Sequence, residues 1–219
     1  MSTLEAHRRG AKSGTTKSLV IFVHGYGADG NDLISLSDSL GEHLPDTVFY
    51  SPDAPNPCKM SPMGREWFPI PWIDGSSEEV AKAGMETAVQ MLNDFVDDTM
   101  KAEGVTPAQT FLVGFSQGTM MSLHIAPRRA EPIAGVVGFS GRLLEPDTLK
   151  SEVVSRPPVL LVHGDADEMV PVASLPEAAN ALTLAEFEVY THISKGTGHG
   201  IAPDGLGVAL QFIINNLPK

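Results

Sequence analysis

The chain has a single cysteine, Cys58, among its 219 residues, so no disulfide can form within it and no multi-cysteine metal site can be built. Positive charge is scarce: 15 basic residues stand against 27 acidic ones, and the formal net charge of −12 repels phosphate backbones and anionic bilayers. Nucleic acid is therefore not an expected partner. Long apolar runs are also missing. The stretch "LVIFV" is far too short to span a bilayer, and the preceding "MSTLEAHRRGAKSG" is polar where a secretory signal would be apolar. No stable membrane insertion and a cytoplasmic location are expected. A lysine in a G-K-S or G-K-T ending is lacking after the glycines of "FVHGYGADG", which removes a phosphate-binding loop from consideration.

What remains is ordinary for a globular protein, with 42% apolar and 19% charged residues, and one domain over 1–219 is expected. Short aliphatic runs at Leu19–His24, Thr47–Ser51, Thr110–Gly114, Gly135–Phe139, Val159–His163 and Phe187–His192 read as strands, several apolar enough to be buried on both faces. A helix is predicted from about Ser77 to Glu103, with Ser76 and Glu79 as a capping box and Gly104 as its stop. Another is predicted from Pro203, with Leu206, Leu210, Ile213 and Leu217 on one face. Alternating strands and helices imply an α/β fold, a mostly parallel central sheet with helices on both faces. The helix after Ser116 should end or kink near Ala126, because Pro127 cannot continue it. Residues 52–75, rich in proline and holding both tryptophans, read as a loop at a functional rim.

The segment "FLVGFSQGTMMSLHIA" places Ser116 between a strand and a helix. A serine hydroxyl becomes a nucleophile only when a base takes its proton and a tight turn exposes it. Gly114 and Gly118 remove side chains that would collide at such a turn, and the helix start offers N–H groups to an oxyanion. The competing reading makes Ser116 the N-cap of an ordinary helix.

A nucleophilic serine calls for a carboxylate and then a histidine, each in a loop after a strand. "PVLLVHGDADEMVP" supplies Asp165 and Asp167, between which the local pattern does not choose, and a glycine-rich loop supplies His199. His7 and His43 fall in surface stretches, His24 and His163 end buried strands, His124 sits within the helix after the serine, and His192 comes too early for the loop. The oxyanion donors expected are the backbone N–H of Gln117 and that of Tyr26 in the loop after an early strand. Cys58 has neither a helix start nor a nearby histidine in sequence, so it is read as a free thiol with no catalytic role.

Taken together, "HGYGADG", "SPDAP", "REWFPI", "GFSQGTMMSLHIA", "GVVGFSGRL", "HGDADEMVP" and "GTGHGI" resemble the phospholipase/carboxylesterase family of small α/β-hydrolases, relatives of acyl-protein thioesterases, over nearly all the chain from about Leu19. The resemblance implies that Ser116 is nucleophile, His199 base, Asp167 the third member with Asp165 structural, and Tyr26 and Gln117 oxyanion donors. It implies an acyl groove lined by Trp67, Phe68, Met169 and Val170, a small-molecule ester as substrate, no cofactor or metal, and a homodimer as a possible assembly. Lysophospholipids and S-acylated proteins are the alternative substrates. A hydrolase-fold binding protein without chemistry is the alternative outside enzymology, and all three members of the catalytic set being present argues against it.

Overall fold

The computed structural model describes residues 4–218; the first three residues of the polar N-terminal stretch and the last residue of the expected domain lie outside the described residues. The strands are β1 (Ala6–Arg9), β2 (Ser18–Val23), β3 (Thr47–Pro52), β4 (Asn56–Pro57), β5 (Arg65–Glu66), β6 (Thr110–Phe115), β7 (Gly135–Phe139), β8 (Val159–Gly164) and β9 (Val189–Ser194). The helices are α1 (Gly30–Ile34), α2 (Leu36–Leu40), α3 (Pro71–Asp74), α4 (Glu78–Glu103), α5 (Gln117–Ile125), α6 (Pro146–Glu152), α7 (Ser174–Leu184) and α8 (Pro203–Asn216). One seven-stranded sheet runs in the order β1-β3-β2-β6-β7-β8-β9, and every pairing in it is parallel except that of the edge strand β1 with β3.

Side chains alternate across a strand, so one apolar run can feed two cores. In β2, Leu19, Ile21 and Val23 join one core with Leu92 and Phe95 of α4, Met121 of α5 and Leu182 of α7. Val20 and Phe22 turn the other way and join Leu33 and Ile34 of α1, Leu40 of α2, and Phe212 and Ile213 of α8. The predicted arrangement, a mostly parallel sheet covered on both faces, is the one observed. Because β2, β6, β7, β8 and β9 are parallel, the loops after Val23, Phe115, Phe139, Gly164 and Ser194 all leave the sheet at one edge. Among the described residues, no helix is long and apolar enough to cross a membrane.

Several boundaries differ from those predicted. The N-cap of α4 is Ser77, whose side chain accepts from the Val80 N–H, whereas the Ser76 N–H donates to Asp74 Oδ1, so Ser76 belongs to the turn that closes α3. Strand β9 starts two residues later than Phe187, because the Phe187 N–H bonds to the Leu182 carbonyl and finishes the last turn of α7. Strand β1 lies in the stretch read only as polar, and it gains its conformation from pairing with β3 rather than from apolar alternation. Residues 52–75 are not a plain loop: β4 and β5 form a hairpin, and Pro71 opens the single turn of α3. The stop at Pro127 holds, since α5 ends at Ile125 and gives way to a 3₁₀ turn over Ala126–Arg128.

His124, near the end of α5, is partly buried, and its Nδ1 is enclosed without a hydrogen-bond partner. Burial, with a further push from the Arg128 charge, lowers its pKa from the usual 6.5 to about 4. Below pH 6.5 the unfolded chain takes up a proton there that the folded chain refuses, so stability falls as the pH drops toward 4. In urea titrations at pH 7 and pH 5, His124→Asn is expected to lose less stability between the two conditions than the parent chain. An equal or larger loss in the variant would contradict this.

Candidate active site

The first component of the site is the turn from β6 into α5. Ser116 sits there with φ 54° and ψ −115°, a conformation costly for a residue with a side chain, at about 1–3 kcal/mol. Its N–H donates to the Phe139 carbonyl at the end of β7 (2.8 Å), and its own carbonyl accepts from the Met120 N–H (3.2 Å). A β-carbon at Gly118 would lie 1.7 Å from the Val23 carbonyl oxygen, and one at Gly114 would lie 2.5 Å from the Gly118 carbonyl carbon. The steric reason inferred for both glycines is therefore met, and α5 can start against β2 only because Gly118 is bare.

The acidic turn after β8 and the loop after β9 meet at the same sheet edge. A β-carbon at Gly164 would lie 2.2 Å from the Thr197 carbonyl oxygen, so the two loops close on each other through a second bare position. Asp167 Oδ2 lies 2.8 Å from His199 Nδ1, and Asp167 Oδ1 accepts from the Met169 and Val170 N–H groups, both at 2.9 Å. Its side chain is fully buried, with His163 Nε2 a further 3.3 Å neighbour of Oδ2. Burial raises the pKa of the Asp167 carboxyl, but hydrogen bonds from His199 and from the Val170 and Met169 backbone outweigh it and leave the group below its ordinary value. An ionised carboxylate only accepts, so Nδ1 of His199 carries the hydrogen and Nε2 keeps a free lone pair.

Asp165 goes elsewhere, its Oδ1 accepting from the Gly196 N–H at 2.6 Å and bracing the loop. The two strand-ending histidines are braces as well. His24 bonds the Gly25 carbonyl and the Ala54 N–H, and His163 bonds the Val170 carbonyl. His192 pairs with Asp204 of α8 at 2.8 Å.

Ser116, Gln117, His199 and Tyr26 line one cavity of about 260 Å³, and the His199 ring packs 4.9 Å from that of Phe115. Among the described residues, the backbone N–H groups of Tyr26 and Gln117 have no acceptor, and both residues line this cavity. Ser116, which lines this cavity, has no side-chain hydrogen-bond partner among the described residues. No group of three or more His, Cys, Asp and Glu among the described residues is placed to hold a metal ion.

The cavity walls correct part of the expected acyl groove. Met169 and Val170 line it, but Trp67 and Phe68 do not. Trp67 is fully buried beneath the rim, with its indole N–H on the His24 carbonyl at 3.0 Å, and Phe68 faces a neighbouring apolar cleft of about 300 Å³. The aromatic wall is instead Trp72, 72% exposed, flanked by Ile70 and Ile73. Ile70 and Trp72 are shared with the second cleft. Sequence reasoning also missed Met120, Pro171 and Arg142; the signal for Arg142 was its place in "GFSGRL", just beyond a strand whose end faces the site.

Gln117 ties the rim to the serine turn. Its side chain is completely buried, accepts from the Trp67 N–H (2.9 Å) and donates to the Phe68 carbonyl (2.7 Å). Asp74 holds the other end of the rim through the Ile70 N–H at 2.8 Å, the Ser76 N–H at 2.8 Å and the Tyr26 hydroxyl at 3.3 Å.

Residues 10–217 match the phospholipase/carboxylesterase family. The crystal structure of esterase PE8 superposes with a TM-score of 0.91 at 43% identity, covering 98% of this chain and 99% of PE8. The chain is 30% identical over 229 residues to acyl-protein thioesterase 1 of Saccharomyces cerevisiae, covering 96% of this chain and 97% of the yeast protein. It is 27% identical over 206 residues to esterase YpfH of Escherichia coli K12, with coverage of 93% and 84% respectively.

Replacing Gln117 by leucine strands the Trp67 N–H and the Phe68 carbonyl in the interior, at a cost of about 1–3 kcal/mol for each group left unpaired. Gln117→Leu is expected to lower unfolding free energy in urea by that order and to speed proteolytic cleavage within residues 59–64. A loss under about 0.5 kcal/mol, with cleavage unchanged, would show that the rim does not depend on this side chain.

Proposed function

The chain belongs to the phospholipase/carboxylesterase family of α/β-hydrolases and is an esterase, and from that premise we propose that it cleaves short to medium acyl carboxylic esters through an acyl-enzyme formed on Ser116. The observation that carries the proposal is the 2.8 Å contact of Asp167 with His199 Nδ1, made where His199 and Ser116 face one cavity.

In this mechanism, His199 Nε2 takes the Ser116 proton as Oγ attacks the ester carbonyl. The imidazolium that forms is stabilised by the ionised Asp167, which also holds the ring in the useful tautomer. The carbonyl oxygen, now negative, accepts from the free N–H groups of Tyr26 and Gln117; removing one such donor typically costs a hundredfold or more in rate. His199 then gives its proton to the departing alkoxide, and water, activated by the same imidazole, releases the acid from Ser116. Only side chains, backbone groups and water take part in these steps.

The cavity volume of about 260 Å³ suits short to medium acyl groups better than long ones, and Ile70 and Trp72 form a wall that it shares with the second apolar cleft. Hydrolysis of long-chain thioesters or lysophospholipids is the second reading. It is favoured by the likeness to acyl-protein thioesterases and would require that wall to move.

Ser116→Ala is expected to lower turnover of para-nitrophenyl acetate by about a millionfold, and Asp167→Asn by about ten-thousandfold. Retained turnover in Ser116→Ala would remove the mechanism. A para-nitrophenyl ester series should peak at short to medium acyl length; rates still rising at long chains would favour the second reading.

A further inference from the structure

We propose that Arg142 determines specificity by binding a second, anionic group on the substrate, a carboxylate or a phosphate, so that the cavity selects amphipathic esters with an apolar body and an acidic end. The inference rests on the esterase reading above and adds the class of ester.

Arg142 follows Ser140 and Gly141 at the end of β7. A β-carbon at Gly141 would lie 3.0 Å from the Ser116 carbonyl oxygen, so the backbone reaches Arg142 one residue after passing against the serine turn. The side chain is exposed, lines the cavity, and has no hydrogen bond or ion pair among the described residues. Arg8, Arg128, Arg129 and Arg156 each meet a carboxylate, Glu103, Glu152, Asp97 and Glu186 respectively; Arg9 and Arg65 meet none among the described residues, but neither lines this cavity, so Arg142 alone combines an unpaired guanidinium with a place in its wall. In a chain with almost twice as many acidic as basic residues, an arginine without a carboxylate has its charge free for something else.

The cavity offers it no internal partner, because no carboxylate is among the residues lining it. Asp167 stands behind His199 with both oxygens already occupied. The remaining wall, Ile70, Trp72, Met120 and Val170, is apolar. A guanidinium presents a planar fork of donors matched to carboxylate or phosphate oxygens, which a lysine ammonium would not reproduce. The net charge of −12 would disfavour an anionic ester at long range, so a local cation at the mouth is what such a substrate needs.

The test compares kcat/KM for three para-nitrophenyl esters in the full chain: the half-ester of adipic acid, its ω-phosphonate counterpart, and a neutral isostere with an isopropyl group in place of the carboxylate. In Arg142→Gln the anionic-to-neutral ratio is expected to fall about tenfold for at least one anion, which also identifies whether carboxylate or phosphate is preferred. The change should sit mainly in KM, since the anion is remote from the reacting carbonyl. Arg142→Lys should keep part of the ratio, and about 0.5 M salt should narrow the difference in ratio between the parent chain and Arg142→Gln, since repulsion by the net charge is common to both. Because the readout is a ratio, a general loss of folded protein cancels. If the parent chain hydrolyses the neutral ester but Arg142→Gln leaves both ratios within about twofold, the proposal is overturned and the esterase reading stands. A parent chain that hydrolyses none of the three overturns both.

Discussion

The site depends on a backbone approach that only a missing side chain permits. Gly118 meets the Val23 carbonyl so closely that a β-carbon there would sit 1.7 Å from its oxygen. With that space empty, α5 begins against the end of β2, the preceding residue is forced to positive φ, and the Ser116 side chain stands clear of the helix. Gln117, the first residue of α5, and Tyr26, from the loop after β2, line the same cavity. The strain at Ser116 is held by the bond of its N–H to the Phe139 carbonyl at the end of β7 and by the first-turn bond of α5, from the Met120 N–H to its own carbonyl.

Charge is organised around this turn with little freedom. Asp167 is buried yet remains an anion, because two backbone N–H groups and the His199 ring outweigh the cost of taking it out of water. Its ionisation fixes the tautomer of His199, and the tautomer decides which nitrogen is free to act as a base. A buried carboxylate and a partly exposed imidazole thus differ in setting: one is kept from solvent so that its charge counts, the other lines the cavity.

The rim shows how packing reassigns residues of similar chemistry. Trp67 and Trp72 are five positions apart in one proline-rich stretch, and composition treats them alike. The β4–β5 hairpin and the bonds of Gln117 draw Trp67 into the interior, while the short turn of α3 swings Trp72 out over the cavity. Asp74, itself buried, closes that turn and reaches back to the Tyr26 hydroxyl, so the rim and the loop that offers a free N–H share one anchor.

The sequence by itself determined the alternation of strands and helices, the strand–turn–helix around Ser116 with its two necessary glycines, and the order in which serine, aspartate and histidine follow one another. These features are local: apolar period, turn chemistry and steric size are written in adjacent residues. Residue order alone left Asp165 and Asp167 equivalent, gave Arg142 no neighbours and made Trp67 look like a wall of the groove. Those matters depend on which loops converge at the end of a parallel sheet, and only the tertiary structure decided them, because a contact such as Asp167 with His199, 32 residues away, is set by strand pairing rather than by nearby sequence.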